Sequence, residues 1–240
     1  MMFGAWFWLC GAGLVDIVPT IKPSVVGITT VQTNRGLAAQ MVGTGFVVAD
    51  GLHVVTNHHV VNADTKTAYF VTIALDAGVD RREARVVGTD PAHDLALLKI
   101  DGSALPALRL RVGEQLAGDG SDVAITGFPI GTALGLVRAT QRGTIAAVTA
   151  NVSAEPHSSM LDAAFLMTPR YQVYQLDMVA YPGNSGSPLY LAETGEVIGI
   201  LNSGFIKATK ERVLSDPSGI SFAIPSKHIV ALLGRFGLRP

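Results

Sequence analysis

At 240 residues, 48% hydrophobic and with a formal charge of −1, the chain holds enough apolar material for two compact cores and shows no run of basic residues, which excludes nucleic acid as an expected partner. Cys10 is the single cysteine, so an intrachain disulfide is excluded and the fold has to hold by packing. The histidines lack HExxH spacing and there is no cysteine pair, so neither a metal nor another cofactor is expected.

Residues 1–15 form an apolar N-terminal segment. The run 3–15 (FGAWFWLCGAGLV) is 13 residues long, short of the ~20 that cross a bilayer. It has the length of a signal-peptide core, with Gly11, Ala12 and Gly13 as small residues near a cleavage point, but no Lys or Arg precedes it. An export segment or tether and a plain apolar tail both stand. From Ser24 onward strand signals dominate. Residues 25–33 and 69–76 are rich in β-branched and aromatic side chains, and Tyr69, Val71, Ile73 and Leu75 fall on one face at period two. Residues 41–49 and 52–56 read as a hairpin closed by Ala49-Asp50-Gly51, and 82–89 and 95–100 complete a first set of six strands. Residues 101–120 read as a connector, broken by Gly102, Pro106, Gly113, Gly118 and Gly120. A second set of six follows at 123–128, 140–151, 173–178, 189–192, 197–202 and 220–224. The chain closes with a helix over 225–236: Pro225 at its first turn, Ser226 as cap, Ile229, Leu232, Leu233 and Phe236 on one face, and Gly237 as terminator.

The chemistry concentrates at 181–189 (YPGNSGSPL). Glycines beside a hydroxyl supply φ angles that a Cβ forbids and let a substrate backbone come close, so Ser185 is the candidate nucleophile. A serine hydroxyl is a weak nucleophile without a base to take its proton. His59, in VVTNHHVV, and Asp94, in HDLALLKI, are the candidate base and its orienting acid. The order His, Asp, Ser along the chain distinguishes this arrangement from those of subtilisins and α/β-hydrolases.

Three blocks resemble trypsin-like serine peptidases of the HtrA (DegP/DegS) type: GTGFVVADGLHVVTNHHVV from Gly43, HDLALLKI from His93 and YQLDMVAYPGNSGSPL from Tyr174. ITGFPIG from Ile125 and ISFAIPSKHI from Ile220 agree. The resemblance implies an all-β fold, a chymotrypsin/trypsin-like double six-stranded β-barrel with a C-terminal α-helix. Residues 16–240 would be the protease domain, its first barrel at about 24–100, connector 101–120, second barrel about 121–224 and helix 225–236. PDZ domains commonly follow this helix in relatives; with only 237–240 after it, no PDZ regulation is expected of this chain.

By the same resemblance the catalytic residues are His59, Asp94 and Ser185, and His59 rather than His58 is the base, because the catalytic histidine directly precedes the hydrophobic residue of TNxHV. The oxyanion hole falls on the backbone of Gly183, Asn184 and Ser185. The pocket for the residue before the cut falls on Val179, Asn202, Ser203, Gly204 and Ile220; none is a carboxylate, and a bulky Ile220 favours small aliphatic residues over Lys or Arg. Leu201-Asn202 counts against the acidic specificity of glutamyl endopeptidases. Asn184 stands where digestive relatives carry an aspartate that pairs with a newly released N-terminus, so activity is expected without zymogen cleavage and under the control of loops such as 151–169. Partners are expected to be protein or peptide substrates, at a location outside the cytoplasm; the resemblance also implies a second use for the N-terminal segment, equal in weight to export, as the contact of a homotrimer through Phe3, Trp6, Phe7 and Trp8. Non-proteolytic, chaperone-like binding by the same barrels is the alternative. Alternation explains His53 within its strand, and His93, His157 and His228 read as surface or loop residues.

Overall fold

The computed structural model describes residues 13–32, 40–61, 67–75, 78–129, 136–151, 170–202 and 219–240. The readings for residues 1–12, the loop 152–169, His157, Ser203 and Gly204 lie outside them. Helix α1 (Leu14–Ile21) leads into β1 (Val25–Gln32), β2 (Gln40–Val48), β3 (His53–Asn57), the short helix α2 (His58–Val61), β4 (Thr67–Leu75), β5 (Gly78–Asp90) and β6 (Leu95–Ile100). After the connector come β7 (Asp122–Gly127), β8 (Ala139–Ala150), β9 (Gln172–Asp177), β10 (Pro188–Leu191), β11 (Val197–Asn202), β12 (Ile220–Pro225) and helix α3 (Ser226–Arg235). Each half closes into an antiparallel barrel, in the orders β1-β2-β3-β6-β5-β4 and β10-β11-β12-β9-β8-β7. The expected double six-stranded barrel with a C-terminal helix is the fold of this chain.

Strands that are apolar on both faces are what such a packing requires, since one face fills a lumen and the other meets the second barrel. In β6, Ala96, Leu98 and Ile100 join the first lumen with Val26, Ile28 and Val47, while Leu95 and Leu97 face the seam between barrels. Phe46 and Val48 of β2 and Val55 of β3 reach the same seam, where they join Phe128, Tyr190, Val197 and Ile200 of the second half and Ile229, Leu232 and Leu233 of α3. Each fully buried Leu or Ile of this kind contributes about 1.5–3 kcal/mol. The second lumen holds Val123, Ile125, Tyr174, Leu176, Leu189 and Ile198.

The connector proves to be a strap. Leu108 N–H donates to Val47 C=O at 2.9 Å in the first barrel. Further along, Arg111 N–H donates to Val197 C=O at 2.8 Å and Val197 N–H to Arg109 C=O at 2.9 Å in the second. Three local expectations are corrected. Leu75 is 56% exposed because it closes on Gly78 at the hairpin end, past the barrel rim. Pro225, extended at ψ 145°, is the cap of α3, while Ser226 is its first residue and donates its hydroxyl to Arg111 C=O at 2.9 Å. Phe236 leaves the buried face and lays its ring over Gly88. The helix stops as expected: Leu238 N–H returns to Leu233 C=O and Gly237 N–H to Gly234 C=O, a Schellman ending with Gly237 at φ 69°.

Candidate active site

Antiparallel pairing of β3 with β6 sets Asn57 opposite Leu95, so residues just past the end of one strand and just before the start of the other must meet. His59 and Asp94 occupy those places. Asp94 terminates a 3-10 turn, Pro91–His93, in the left-handed region at φ 49° and ψ 45°, a conformation that costs most residues about 1–2 kcal/mol and that Asp tolerates better than most. The conformation turns both its acceptors toward α2. Its carbonyl receives the Asn57 side-chain amide at 3.2 Å and the His58 N–H at 3.0 Å. Its carboxylate receives the His59 N–H at 2.8 Å on one oxygen and, on the other, the His59 Nδ1 at 2.6 Å and the Asn202 amide nitrogen at 2.8 Å. Because a carboxylate only accepts, Nδ1 carries a proton, and in the neutral ring Nε2 is then the acceptor. His58, the neighbouring imidazole, has no such partner for its ring: its Nδ1 is buried without one among the described residues.

Ser185 lies in the loop between β9 and β10 and is 4% exposed. Gly183 and Gly186 stand at φ 97° and 89°. The loop is gripped by the first barrel through Thr44 of β2: Thr44 N–H donates to Ser185 C=O at 2.8 Å and Thr44 Oγ1 to Gly183 C=O at 2.7 Å. Thr56 Oγ1 holds Thr44 C=O at 2.7 Å from behind, and Phe128 N–H reaches Thr44 Oγ1 at 3.1 Å. A Cβ placed on Gly43 would sit 2.9 Å from Val60, the residue after His59, and 3.1 Å from Ser185 C=O. The main chain of Ser185 and the helix that carries His59 therefore pack against one and the same residue.

Of the remaining expected site residues, Asn184 does not fit as a backbone oxyanion donor, because its N–H is engaged with Tyr181 C=O at 3.0 Å. Asn202 does not present its side chain to a pocket; buried, it supports Asp94 instead. Val179 is half-buried in the connection between β9 and β10, ahead of Ser185, and Ile220, 46% exposed, opens β12 opposite Asp177. Sequence reasoning misses Thr44 and Asn57. A signal for the first is present: two glycines bracketing a threonine within an apolar strand announce a close main-chain approach.

Two of the histidines that read as surface or loop residues, His93 and His228, are half-buried. His93 and His228 stack with ring centroids 3.9 Å apart, and Tyr171 meets them edge-on at 4.7 and 5.1 Å. Asp90 ties this group to the helix α3, accepting from His93 Nδ1 at 3.0 Å and Arg235 at 2.9 Å. Burial alone would raise the Asp90 pKa, but the His93 hydrogen bond and charge, Arg235 and the His93 N–H outweigh it and hold it below the ordinary value. Burial, followed by the charges of His93 and Lys227, lowers His228 to about 4 against the opposing pull of Asp90 and Glu114. Between its ordinary value of 6.5 and about 4 the unfolded chain binds a proton that the folded chain refuses, so stability falls as pH falls through that window. His228→Phe is expected to flatten this slope; thermal melting of both proteins at several pH values across the window checks it.

A family model described as trypsin-like peptidase domain matches residues 43–200. A probable periplasmic serine endoprotease, DegP-like, of Pseudomonas fluorescens is 32% identical over 194 residues, covering 80% of this chain and 34% of the relative. The chain thus spans about a third of the length of the curated relatives it matches. Among solved structures, an HtrA-type protease, AlgW, with a tripeptide superposes with a TM-score of 0.66 at 26% identity over 94% of this chain and 64% of that one. Deg5 does so with a TM-score of 0.65 at 26% identity over 90% of each.

Proposed function

The chain belongs to the trypsin-like peptidase domain family, and we propose on that premise that it is a serine endopeptidase in which Ser185 is the nucleophile, His59 the base and Asp94 the orienting acid. The observation that carries this reading is the double hold of Asp94 on His59, at the main-chain N–H and at Nδ1, beside a serine loop anchored to the same barrel through Thr44. Ser185 Oγ attacks a peptide carbonyl and passes its proton to His59 Nε2. The imidazolium so formed is stabilised by Asp94 and then protonates the leaving amine; a water repeats the sequence to free the acyl group. The N–H groups of Gly183 and Ser185 are assigned to the developing oxyanion, each worth a factor of about 10² to 10³ in rate.

The pocket residues Val179 and Ile220 are apolar, which supports cleavage after small aliphatic residues rather than after Lys or Arg. The periplasmic designation of the relatives supports an extracytoplasmic location, and the tripeptide in the HtrA-type neighbour supports protein or peptide substrates. Unfolded proteins are the proposed substrate class, and a trimer built through Phe3, Trp6, Phe7 and Trp8 the proposed assembly. Among the described residues, no helix is long and apolar enough to cross a membrane.

Incubation with unfolded casein, followed by mass-spectrometric mapping of the new termini, tests the reading. Wild type should cut after Val, Ala, Thr or similar side chains and Ser185→Ala should leave casein intact. Cutting by Ser185→Ala at an undiminished rate would remove Ser185 from the mechanism. Protection of casein from aggregation by both forms, with no cleavage by either, would favour the chaperone-like alternative.

A further inference from the structure

One side chain of the nucleophile loop enters the second barrel. Asn184 is 1% exposed, and its Nδ2 donates to Gln141 Oε1 at 2.9 Å. Its main chain closes the loop on either side, the N–H to Tyr181 C=O at 3.0 Å and the C=O from Ser187 N–H at 2.9 Å. Asn184 Oδ1, by contrast, is buried with no partner among the described residues. The bond to Gln141 is accordingly what fixes the rotation of this amide. Gln141 is well placed to serve as an anchor: it sits within β8, paired opposite Ile125 of β7, and its neighbour Arg142 is pinned to Asp122 at 3.0 Å.

We propose that Gln141 is a positioning residue for the reaction, an uncharged latch that holds Asn184 and, through it, the peptide units of Gly183 and Ser185 in their working arrangement. The inference rests on the reading of Ser185 as nucleophile. Its physical content is a balance. With the latch made, the buried amide donor is satisfied; without it, the donor is orphaned in the barrel wall, and the loop relieves the penalty by turning Asn184 outward. Gly183 lies directly before Asn184 and, at φ 97° without a Cβ, is free to reorient with it. Such a turn would move the N–H groups assigned to the oxyanion while leaving where they are Ile220, which opens β12, and Val179, which precedes the closure of Asn184 N–H on Tyr181 C=O. Losing the latch should therefore lower kcat and spare KM. A charged partner for the residue before the nucleophile is then unnecessary, because the polar contact is supplied from within the chain.

The test compares the full chain with Gln141→Met, which keeps the side chain's length but removes the acceptor, and Gln141→Glu, which retains an acceptor oxygen at the same reach. For each, kcat and KM are measured on a peptide amide ending in valine, together with the melting temperature and the rate of labelling by a fluorophosphonate. Gln141→Met should lower kcat and the labelling rate by roughly ten- to a hundred-fold with KM within about threefold of wild type and the melting temperature little changed. Gln141→Glu should recover most of that loss. The proposal is overturned if Gln141→Met matches wild type in kcat, if Gln141→Glu is as impaired as Gln141→Met, or if the loss follows a collapse in melting temperature. A wild-type protein that fails to label at Ser185 would instead remove the reading beneath it, an outcome distinguished by being visible before any Gln141 variant is made.

Discussion

Asp94→Asn is expected to lower kcat by about 10⁴-fold while the protein stays folded. The carboxylate accepts three hydrogen bonds, from His59 N–H, His59 Nδ1 and the Asn202 amide. An asparagine offers one oxygen and one NH₂ in the same place, so at least one of these donors must face another donor. The imidazole can resolve the conflict by moving its proton to Nε2, the nitrogen that accepts from Ser185 in the proposed mechanism, and the proposed base is then in the wrong tautomer. The main-chain carbonyl of residue 94 still receives Asn57 and His58, so the turn keeps its supports. Steady-state kinetics with circular dichroism as the fold control measure this. A loss below tenfold would show that Asp94 does not set the tautomer.

Gly186→Ala should abolish activity and cost about 3–5 kcal/mol of stability. A Cβ at this position would lie 2.0 Å from Thr44 C=O and 2.6 Å from Thr56 Oγ1, and the first of these is main chain of a central strand that cannot swing aside. The residue also stands at φ 89°. To make room the loop must retreat from β2, which breaks the bond from Thr44 N–H to Ser185 C=O. Gly237 provides the control, since it has a positive φ of 69° and a Cβ added there would meet nothing within 4 Å. Gly237→Ala should cost only about 1 kcal/mol and leave activity intact. Urea titrations of the two variants separate close approach from backbone conformation, and equal losses would mean that the approach to Thr44 is unimportant.

The strands are legible in the sequence to within a few residues because apolar runs, alternation and Gly or Asp-Gly breaks mark them locally. β6 reads at its observed limits, 95–100, and β5 reads short because its first four residues, Gly78, Val79, Asp80 and Arg81, form no apolar or alternating run. The candidate site is legible where it depends on chain order and motif, as for the meeting of His59 with Asp94. It is not legible where it depends on contacts between barrels. Asn202 reads as a pocket wall because only the fold turns its amide to Asp94, 108 residues away in sequence. Thr44 escapes notice because its partners, Gly183 and Ser185, lie in the other barrel. The packing of His93 on His228 is not legible because stacking between a turn and a C-terminal helix leaves no periodic trace.

Labelling with a fluorophosphonate probe, read by peptide mass spectrometry, tests the proposed chemistry most directly. An activated hydroxyl should place one phosphonyl group on the peptide that contains Ser185, with no adduct in Ser185→Ala and a reaction slowed at least about a hundredfold in His59→Ala. A folded wild-type protein that takes up no probe, or takes it up on a residue other than Ser185, would contradict it.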